Sequence, residues 1–405
     1  MNANVSRKDF VKGAGAMALA GTALGAQAAL ASESADGQWW LPASWDYETD
    51  IAVIGFGGAG AAAAITAANE ELGECLVIDV APEQYAGGNT SVSGQQFWIP
   101  DPEDPLTYQR NLNWEYPVEE ELMEAWAQMM VENGEWLEDL GYEWKRVNIG
   151  DPEFPGIEGY GNSQVCCIDG KPHHQTLWNA LMEVCDDLGV EVLYETRATS
   201  IVRNPQTNEA LGVIADQNGT PVAIKARKGV IVACGGFEAN KEMMAQYYES
   251  GMPRVGIFGT PYNRGDGFGL VKPFGAQTWH ENNVLTYRIG RLSCADAIDG
   301  QAILTDNQVP TMFTTAAFGS KDFIQVGADG RRYMYEEVLN TNRHGKICYN
   351  NCWQPARFPE PCYLIFGQKA FESTESFVDP STENGWLQIH APQTFMSVAE
   401  EVEKG

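Results

Sequence analysis

The sequence of 405 residues predicts an α/β fold, because its first half begins with a strand, a helix and a second strand in close succession. Residues 50–55 (DIAVIG) form a short apolar run that ends in glycine, as buried parallel strands do. Residues 58–72 are rich in alanine with apolar side chains at helical spacing, and residues 75–80 (CLVIDV) form a second buried strand. The order indicates a βαβ unit and therefore a parallel sheet.

The turn between the first strand and the helix has the spacing GxGxxG, with Gly55, Gly57 and Gly60. Gly58 and Ala59 keep this turn narrow, so that a pyrophosphate can reach the N-terminus of the helix. Alone, in a chain with 42 glycines, the spacing is equally compatible with a structural turn. Asp79 ends the second strand, where a carboxylate accepts hydrogen bonds from the ribose hydroxyls of an adenosine. Together these features predict a Rossmann-like dinucleotide-binding domain.

The residues after Asp79 favour FAD over NAD as the dinucleotide. Residues 86–98 (AGGNTSVSGQQFW) are an irregular, polar, glycine-rich loop, which can wrap the pyrophosphate and flavin side of an extended cofactor. NAD domains usually continue into another helix at this point. An acidic residue at position 79 also argues against NADP. We therefore expect non-covalent FAD.

Further elements follow from periodicity and from turn residues. We expect a loop over 100–116, helices over 119–140 and 174–188, and strands over 190–196, 209–216 and 221–226. These three strands predict a small β-layer beside the main sheet, with a hairpin turn at 217–219. Residues 228–237 predict another buried strand. The domain boundaries predicted are 46–281 for the dinucleotide-binding domain and 282–405 for a second, smaller domain.

The charge balance and the N-terminal residues limit partners and location. The net charge is −29, which disfavours nucleic acid and anionic membrane surfaces as partners. Residues 1–31 predict an export signal, since Arg7, Lys8 and Lys12 precede a Gly/Ala-rich stretch. The signal resembles a twin-arginine signal in which Lys8 replaces the second arginine; a flexible Ala-rich tail is the alternative. We expect an exported protein, extracytoplasmic or in the cell envelope, with no stable membrane insertion.

Nine cysteines form an odd set in a chain too large to depend on disulfide bonds. The spacing from Cys348 to Cys352 lacks the paired CxxC pattern of zinc sites, and no CxxCH segment for attached haem occurs. We therefore expect no metal; a metal or iron–sulfur role for Cys348, Cys352 and Cys362 is the alternative.

Beyond these local patterns, the sequence resembles the FAD-dependent oxidoreductase family that contains fumarate reductase flavoprotein subunits, urocanate reductases and 3-ketosteroid dehydrogenases. The resemblance spans residues 46 to about 280. The segments that carry it are 50–64 (DIAVIGFGGAGAAAA), 76–82 with 87–94 (LVIDVAP, GGNTSVSG), 192–202 (VLYETRATSIV), 225–240 (KARKGVIVACGGFEAN) and 263–276 (NRGDGFGLVKPFGA).

The resemblance implies further cofactor contacts. Gly87, Gly88, Asn89, Thr90 and Gly94 would form the flavin loop. Ala198 would reach the adenine side, the isoalloxazine would lie close to Cys234, Gly235 and Gly236, and Asp266 would also face the cofactor. The sequence departs from the family pattern at Gln95, where a second glycine is usual, and at Arg264, where threonine is common.

The resemblance also implies a reaction and its residues. Residues 282–405 would form an α+β capping domain over a small-molecule substrate, and residues 329–345 resemble the segment that leads to the family's proton-donating arginine. Arg343 is the candidate donor, with Glu336 and His344 as relays or anchors; a solvated surface pair at Arg343 and His344 is the alternative. FAD would deliver hydride to an activated C=C bond, using electrons from a separate donor protein or carrier.

Two alternatives to this reaction remain. The chain could instead desaturate a ketosteroid-like substrate, which is the reverse chemistry. Because nothing matches the family's final return to the FAD domain, we expect a truncated cap, and a non-catalytic FAD-binding remnant is the second alternative.

Overall fold

In the computed structural model we describe residues 39–113, 118–147, 157–247 and 259–278, together with shorter later segments. The shorter segments are 281, 289–292, 297–298, 301–302, 307–310, 323–332, 342–343, 346–349, 352–355, 362–373, 385–390, 397, 399 and 403. The predicted export signal lies outside the described residues, as do Glu336 and His344.

Strands and helices are numbered along the described residues. The strands are β1 Tyr47–Ile54, β2 Cys75–Ile78, β3 Phe97–Pro100, β4 Trp144–Arg146, β5 Ser163–Ile168, β6 Glu191–Leu193, β7 Thr196–Arg203, β8 Ala210–Gln217, β9 Thr220–Val232, β10 Ile289–Leu292, β11 Ala297–Ile298, β12 Gln301–Ala302, β13 Asn307–Pro310, β14 Phe323–Gly327, β15 Asn342–Arg343, β16 Lys346–Tyr349, β17 Cys352–Pro355 and β18 Cys362–Phe366. The α-helices are α1 Gly58–Asn69, α2 Gly88–Ser91, α3 Thr107–Asn113, α4 Glu120–Asp139, α5 Thr176–Asp187, α6 Lys241–Tyr247, α7 Asp266–Val271, α8 Gln368–Ser373 and α9 Trp386–His390. Short 3₁₀ turns occur at Glu83–Tyr85, Tyr160–Asn162 and Lys272–Phe274.

The described residues divide into two compact units. The first unit contains residues 39–88, 181–237 and 262–278, and the second contains the described residues of 89–180, of 238–261 and from 281 onward. Each unit takes residues from several stretches of the chain, and the predicted boundary between 281 and 282 stays a prediction.

The first unit is built on a six-stranded sheet in the order β6-β2-β1-β9-β8-β7. Strands β6, β2, β1 and β9 pair in parallel, whereas β9, β8 and β7 form an antiparallel meander. Because the two strands of the βαβ unit pair as expected, with Ile51 opposite Cys75, the predicted α/β fold is confirmed.

The prediction of a small β-layer beside the main sheet was wrong, because β9 joins the two. Its 13 residues pair with β8 from Thr220 to Lys225 and with β1 from Ile224 to Val232. The register against β1 shifts between Thr49 and Ile51, which is the signature of a bulge. The sequence suggested two strands, 221–226 and 228–237, where the structure has one.

The core of the first unit follows from the apolar runs. Ala52, Val53 and Ile54 in β1 are all buried, as expected for a parallel strand that is covered on both faces. Helix α1 buries Ala61, Ala64 and Ile65. The two small alanine side chains allow the helix to approach the sheet closely. The predicted hairpin is confirmed: Asn218 and Gly219 both have positive φ, and Gln217 pairs with Thr220.

The second unit contains a three-stranded antiparallel sheet, β3-β5-β4, and the predicted long helix, α4. The predicted loop over 100–116 was wrong in part, since α3 lies within it. The Asp104 carboxylate accepts hydrogen bonds from the Thr107 hydroxyl (2.6 Å) and the Thr107 N–H (3.3 Å), and it thereby caps this helix. Its buried Tyr108 stacks on Trp98.

The later described segments pair as short antiparallel strands: β10 with β13, β11 with β12, β14 with β18, and β16 with both β15 and β17. Among the helices described, none combines the length and the apolar character that a membrane crossing requires.

Candidate cofactor site

The glycine turn between β1 and α1 contains two glycines that the protein itself requires. A Cβ on Gly60 would lie 1.9 Å from the Gly55 carbonyl oxygen. Gly55 has a φ of +105°, and a Cβ there would lie 2.5 Å from the Ala233 oxygen. Any side chain at either position would therefore force the helix, or the neighbouring strand β9, away from β1.

Gly57 has a different reason to be glycine. It is the N-cap of α1, with an ordinary φ of −96° and no side chain to cap the helix. A Cβ at Gly57 would meet its nearest described neighbour, the Gly87 oxygen, at 3.6 Å, which is normal van der Waals contact. The protein can accommodate a methyl group there, so the missing side chain leaves the helix N-terminus open to an anion. Such an end suits a pyrophosphate, since its N–H groups and dipole favour negative charge.

Four further residues of the predicted cofactor site lie in or beside this turn: Gly58, Ala59, Gly87 and Gly88. Gly58 is half-buried and Ala59 is exposed, both in the first turn of α1. Gly87 forms a parallel bridge with Gly57, and its N–H donates to the Phe56 carbonyl at 3.0 Å. Gly87 and Gly88 both have positive φ, at 103° and 54°. The structure thus places Gly87 and Gly88 beside Gly57.

Asp79 is held in the same turn by two backbone groups. Its Oδ2 accepts a hydrogen bond from the Phe56 N–H at 2.6 Å, and its Oδ1 accepts one from the Ala81 N–H at 2.7 Å. Burial raises the pKa of Asp79, and these two hydrogen bonds partly offset that effect. Each carboxylate oxygen can accept a second hydrogen bond, so ribose binding stays compatible with this arrangement. The sequence did not indicate that Asp79 also fixes the glycine turn.

The strand that carries Ala198 begins beside Asp79. The Thr196 N–H donates to the Asp79 carbonyl at 2.8 Å, and the register of β7 against β8 shifts between Ala198 and Ser200. Ala198 is buried and lies two residues past the contact with Asp79. Its predicted contact with adenine stays a prediction.

The late glycine segments also meet within the first unit. The Gly265 N–H donates to the Gly236 carbonyl at 3.0 Å, and Gly235, with a φ of +70°, lies against the Asn263 side chain. A Cβ on Gly267 would be 3.1 Å from the Cys234 sulfur. Burial raises the pKa of the Cys234 thiol, and the nearby Asp266 charge adds to the effect. The thiol therefore stays protonated at neutral pH.

Asp266 is the first residue of α7 and forms an ion pair with Arg197 of β7, at 2.5 Å. Both side chains are about one-third exposed, at 28% for Asp266 and 34% for Arg197. The sequence placed Asp266 near the cofactor but did not indicate this partner, because the two residues are 69 positions apart.

The loop residues after Gly88 belong to the second unit. The Asn89 carbonyl oxygen Oδ1 accepts from the Thr260 N–H at 2.9 Å, and its Nδ2 donates to Glu238 at 2.7 Å. The Thr90 carbonyl accepts from Ser93 and from Gln95, and the Gly94 carbonyl accepts from the His173 N–H. Of the two departures from the family pattern, Gln95 is fully buried and Arg264 is exposed.

The candidate catalytic residues are described only in part. Arg343 ends strand β15, where it pairs with Lys346 in an antiparallel sheet. Glu336 and His344 are not among the described residues. The roles assigned to these three residues therefore stay predictions.

Five cysteines are described with their side chains, and all five are free thiols: Cys75, Cys166, Cys167, Cys185 and Cys234. Burial raises the pKa to about 11 for Cys75, Cys166 and Cys167, and to about 12 for Cys185. Within the described part of the chain, no cluster of three or more His, Cys, Asp or Glu residues has a geometry that could hold a metal ion.

Comparison with known proteins defines the class. The model of the FAD binding domain family matches residues 50–378, which is most of the chain. The open helix end at Gly57, the paired glycines and Asp79 fit the dinucleotide of that family. The chain therefore belongs to this FAD-binding family.

Individual relatives show how far the similarity extends. The chain is 27% identical over 305 residues to the acrylate reductase flavoprotein subunit of Shewanella woodyi, which covers 68% of this chain and 55% of that protein. It is 25% identical over 319 residues to the 3-oxosteroid 1-dehydrogenase of Mycobacterium tuberculosis, covering 56% and 54%. The 3-ketosteroid delta1-dehydrogenase structure from Sterolibacterium denitrificans superposes with a TM-score of 0.62 at 16% identity, covering 81% and 70%, and shows a shared fold. The chain thus spans about half the length of these curated relatives.

Proposed function

We propose that this protein reduces an activated C=C bond in a small molecule, where the double bond is conjugated to a carbonyl or carboxylate group. The structural observation that supports this proposal is the glycine turn with Asp79, which fits FAD. The similarity to an acrylate reductase flavoprotein subunit supports the substrate class, because acrylate is a conjugated carboxylate.

Held by the glycine turn and Asp79, reduced FAD would supply the hydride for one carbon of the double bond. In our proposal Arg343 gives its proton to the other carbon. The hydride and this proton together add two electrons and two protons to the substrate. An arginine holds its proton tightly, and transfer becomes favourable only as carbanion character develops on the substrate. Glu336 or His344 would then return a proton to Arg343.

The two electrons must be replaced after each turnover. In line with the family resemblance, we propose that a separate electron-donor protein or carrier supplies them. The basic residues Arg7, Lys8 and Lys12 before the Gly/Ala-rich stretch support an exported enzyme. Cell fractionation tests this location, and retention of full-length protein in the cytoplasm would count against it.

The reverse reaction, desaturation, is the second candidate. The similarity to a 3-oxosteroid 1-dehydrogenase favours it. The two directions separate in one pair of assays on the FAD-loaded protein: a reduced viologen with acrylate, and an artificial electron acceptor with a 3-ketosteroid. Turnover in the second assay alone would reject our proposal in favour of desaturation, and turnover in neither would favour the non-catalytic remnant.

Replacement of Arg343 tests the residue assignment. General acid catalysis typically contributes about 10²- to 10⁴-fold to a rate. We therefore expect Arg343→Ala to lower acrylate reduction at least 100-fold, while the visible absorbance of bound flavin is unchanged. Arg331→Ala is the matched control, since Arg331 is exposed and its charged partner is Asp329 on the surface. If Arg343→Ala kept the rate of the control variant, Arg343 would be excluded as the proton donor.

A further inference from the structure

Gln95 has an unusual backbone conformation for a residue with a side chain. Its φ is +59°, in the left-handed region that favours glycine, and its side chain is completely buried. A left-handed conformation costs a non-glycine residue about 1–2 kcal/mol. Burying an amide costs more unless each of its polar atoms has a partner. Gln95 therefore persists only if its side chain makes contacts that offset both costs.

The side-chain amide of Gln95 makes such contacts on both of its ends. Its Nε2 donates to the carbonyl of Thr90 at 2.6 Å and to the carbonyl of Ser93 at 3.1 Å. Its Oε1 accepts a hydrogen bond from the Trp178 N–H at 3.0 Å. Trp178 lies in the first turn of α5, where backbone N–H groups have no partner within the helix. Gln95 thus links the loop after Gly88 to the beginning of α5.

The neighbouring carbonyls of this loop are held in the same way. All five carbonyls from residue 90 to residue 94 accept hydrogen bonds from elsewhere in the second unit or from Gln95 itself. The donors beyond Gln95 are Gln175 Nε2 to Ser91 (3.2 Å), the Gly385 N–H to Val92 (2.7 Å) and the His173 N–H to Gly94 (3.0 Å). Every backbone carbonyl from residue 90 to residue 94 is therefore engaged, which restrains the conformation of the loop.

By resemblance to the family, this loop would also bind the flavin, through Asn89, Thr90 and Gly94. We propose that Gln95 is a positioning residue that fixes the loop 89–94 in the conformation that binds FAD, with the N-terminal turn of α5 as its anchor. The inference rests on FAD binding and is independent of the reaction proposed above. A glycine at position 95 would relieve the backbone but would leave the Thr90 and Ser93 carbonyls and the Trp178 N–H without this partner.

Gln95→Met tests the proposal, because methionine has a similar shape but neither donates nor accepts strongly. We expect the dissociation constant for FAD to rise at least tenfold, and the absorbance bands and circular dichroism of the bound flavin to change. Gln128→Met is the matched control, because Gln128 is exposed on α4 and its side chain donates to Glu132 on the same helix. The control should bind FAD as the wild type does. A folded Gln95→Met variant with wild-type affinity and an unchanged flavin spectrum would overturn the proposal, even if its melting temperature fell.

Gln95→Glu provides a second test that does not depend on the methionine variant folding. A protonated glutamic acid keeps one donor and one acceptor, whereas the carboxylate repels the Thr90 and Ser93 carbonyls. We expect FAD affinity in this variant to recover as the pH falls, relative to the wild type at the same pH. An affinity that follows the wild type at every pH would contradict the proposal. If both Gln95 variants failed to fold, the amide would be a requirement of the fold and not a specific positioning device, which also overturns it.

Discussion

Alanine substitutions in the glycine turn should separate the requirements of the protein from those of the cofactor. At Gly57, an added methyl group meets the Gly87 oxygen at 3.6 Å and φ is already suitable for alanine, so no backbone has to move. The apo protein should lose no more than about 1 kcal/mol, the scale of an N-cap change from glycine to alanine. The methyl group nevertheless occupies the space in front of the helix N-terminus. We expect FAD to bind at least tenfold more weakly, which corresponds to ~1.4 kcal/mol.

Gly60→Ala gives the opposite pattern and is the comparison that makes the first result interpretable. The new Cβ would lie 1.9 Å from the Gly55 oxygen, and real Cβ contacts essentially never fall below 3.0 Å, so α1 must shift away from β1. Overpacking of this kind costs roughly 1–3 kcal/mol. The apo protein itself should therefore be destabilised. Gly269→Ala controls for helix propensity, because Gly269 lies in α7 and its Cβ would meet nothing within 4 Å.

The assays are urea denaturation of the apo protein and titration with FAD, followed by flavin fluorescence, for all three variants. We expect Gly57→Ala to lose FAD affinity at nearly unchanged stability and Gly60→Ala to lose stability. It is refuted if Gly57→Ala binds FAD with the affinity of Gly269→Ala, since the space before the helix would then not be the pyrophosphate site. Equal stability of Gly60→Ala and Gly269→Ala would refute the packing argument.

Two further outcomes follow from pKa values in the first and second units. Burial raises the folded-state pKa of Asp79 above its usual 3.8, so the folded protein binds more protons than the unfolded chain in the pH interval between the two pKa values. The contribution of Asp79 to stability is therefore largest below pH 3.8 and is lost as the pH rises through the raised pKa. Asp79→Asn should flatten this part of the pH profile of urea denaturation, and an unchanged slope would contradict the assignment. Burial raises the pKa of the Cys166 thiol to about 11 and that of the Cys185 thiol to about 12. Both thiols should therefore resist iodoacetamide at pH 8 until denaturant is added, as mass spectrometry can follow residue by residue. Rapid labelling of either thiol in the native protein would refute its burial.

The parts of the fold that the sequence predicted are those set by local periodicity. The run at 50–55, the alanine-rich helix and the Asn218–Gly219 turn each depend on residues that are close in sequence, and each is confirmed. The small β-layer was wrong because the continuity of β9 depends on pairing with β1, far away in the chain. Periodicity over 221–232 does not show that one strand serves two partners, since a bulge interrupts its register.

In the candidate site, too, features that depend on local spacing were predicted and contacts between distant residues were not. The glycines and Asp79 were predicted as cofactor residues from spacing, because a dinucleotide demands small residues and an acid at fixed positions along one βαβ unit. The contacts that hold these groups were not identified. The Arg197–Asp266 ion pair and the Gln95–Trp178 hydrogen bond each join residues more than 65 positions apart. Gln95 did stand out as a departure from the family pattern, but its positive φ and buried amide have no local sequence signal.

The two sets of observations together explain why glycine density alone is a weak guide to a cofactor site. Gly55 and Gly60 are glycines because other backbone atoms occupy the space of their Cβ atoms, and they would be needed in any similar βα turn. Gly57 has room for a Cβ within the protein, so close packing does not require a glycine there, and the open helix N-terminus suits a bound pyrophosphate. At Gln95 the relation is reversed, since a side chain occupies a conformation that suits glycine and uses it to hold the neighbouring loop. Glycine at position 57, where packing does not demand it, is therefore a better indication of a cofactor than glycine at position 55 or 60.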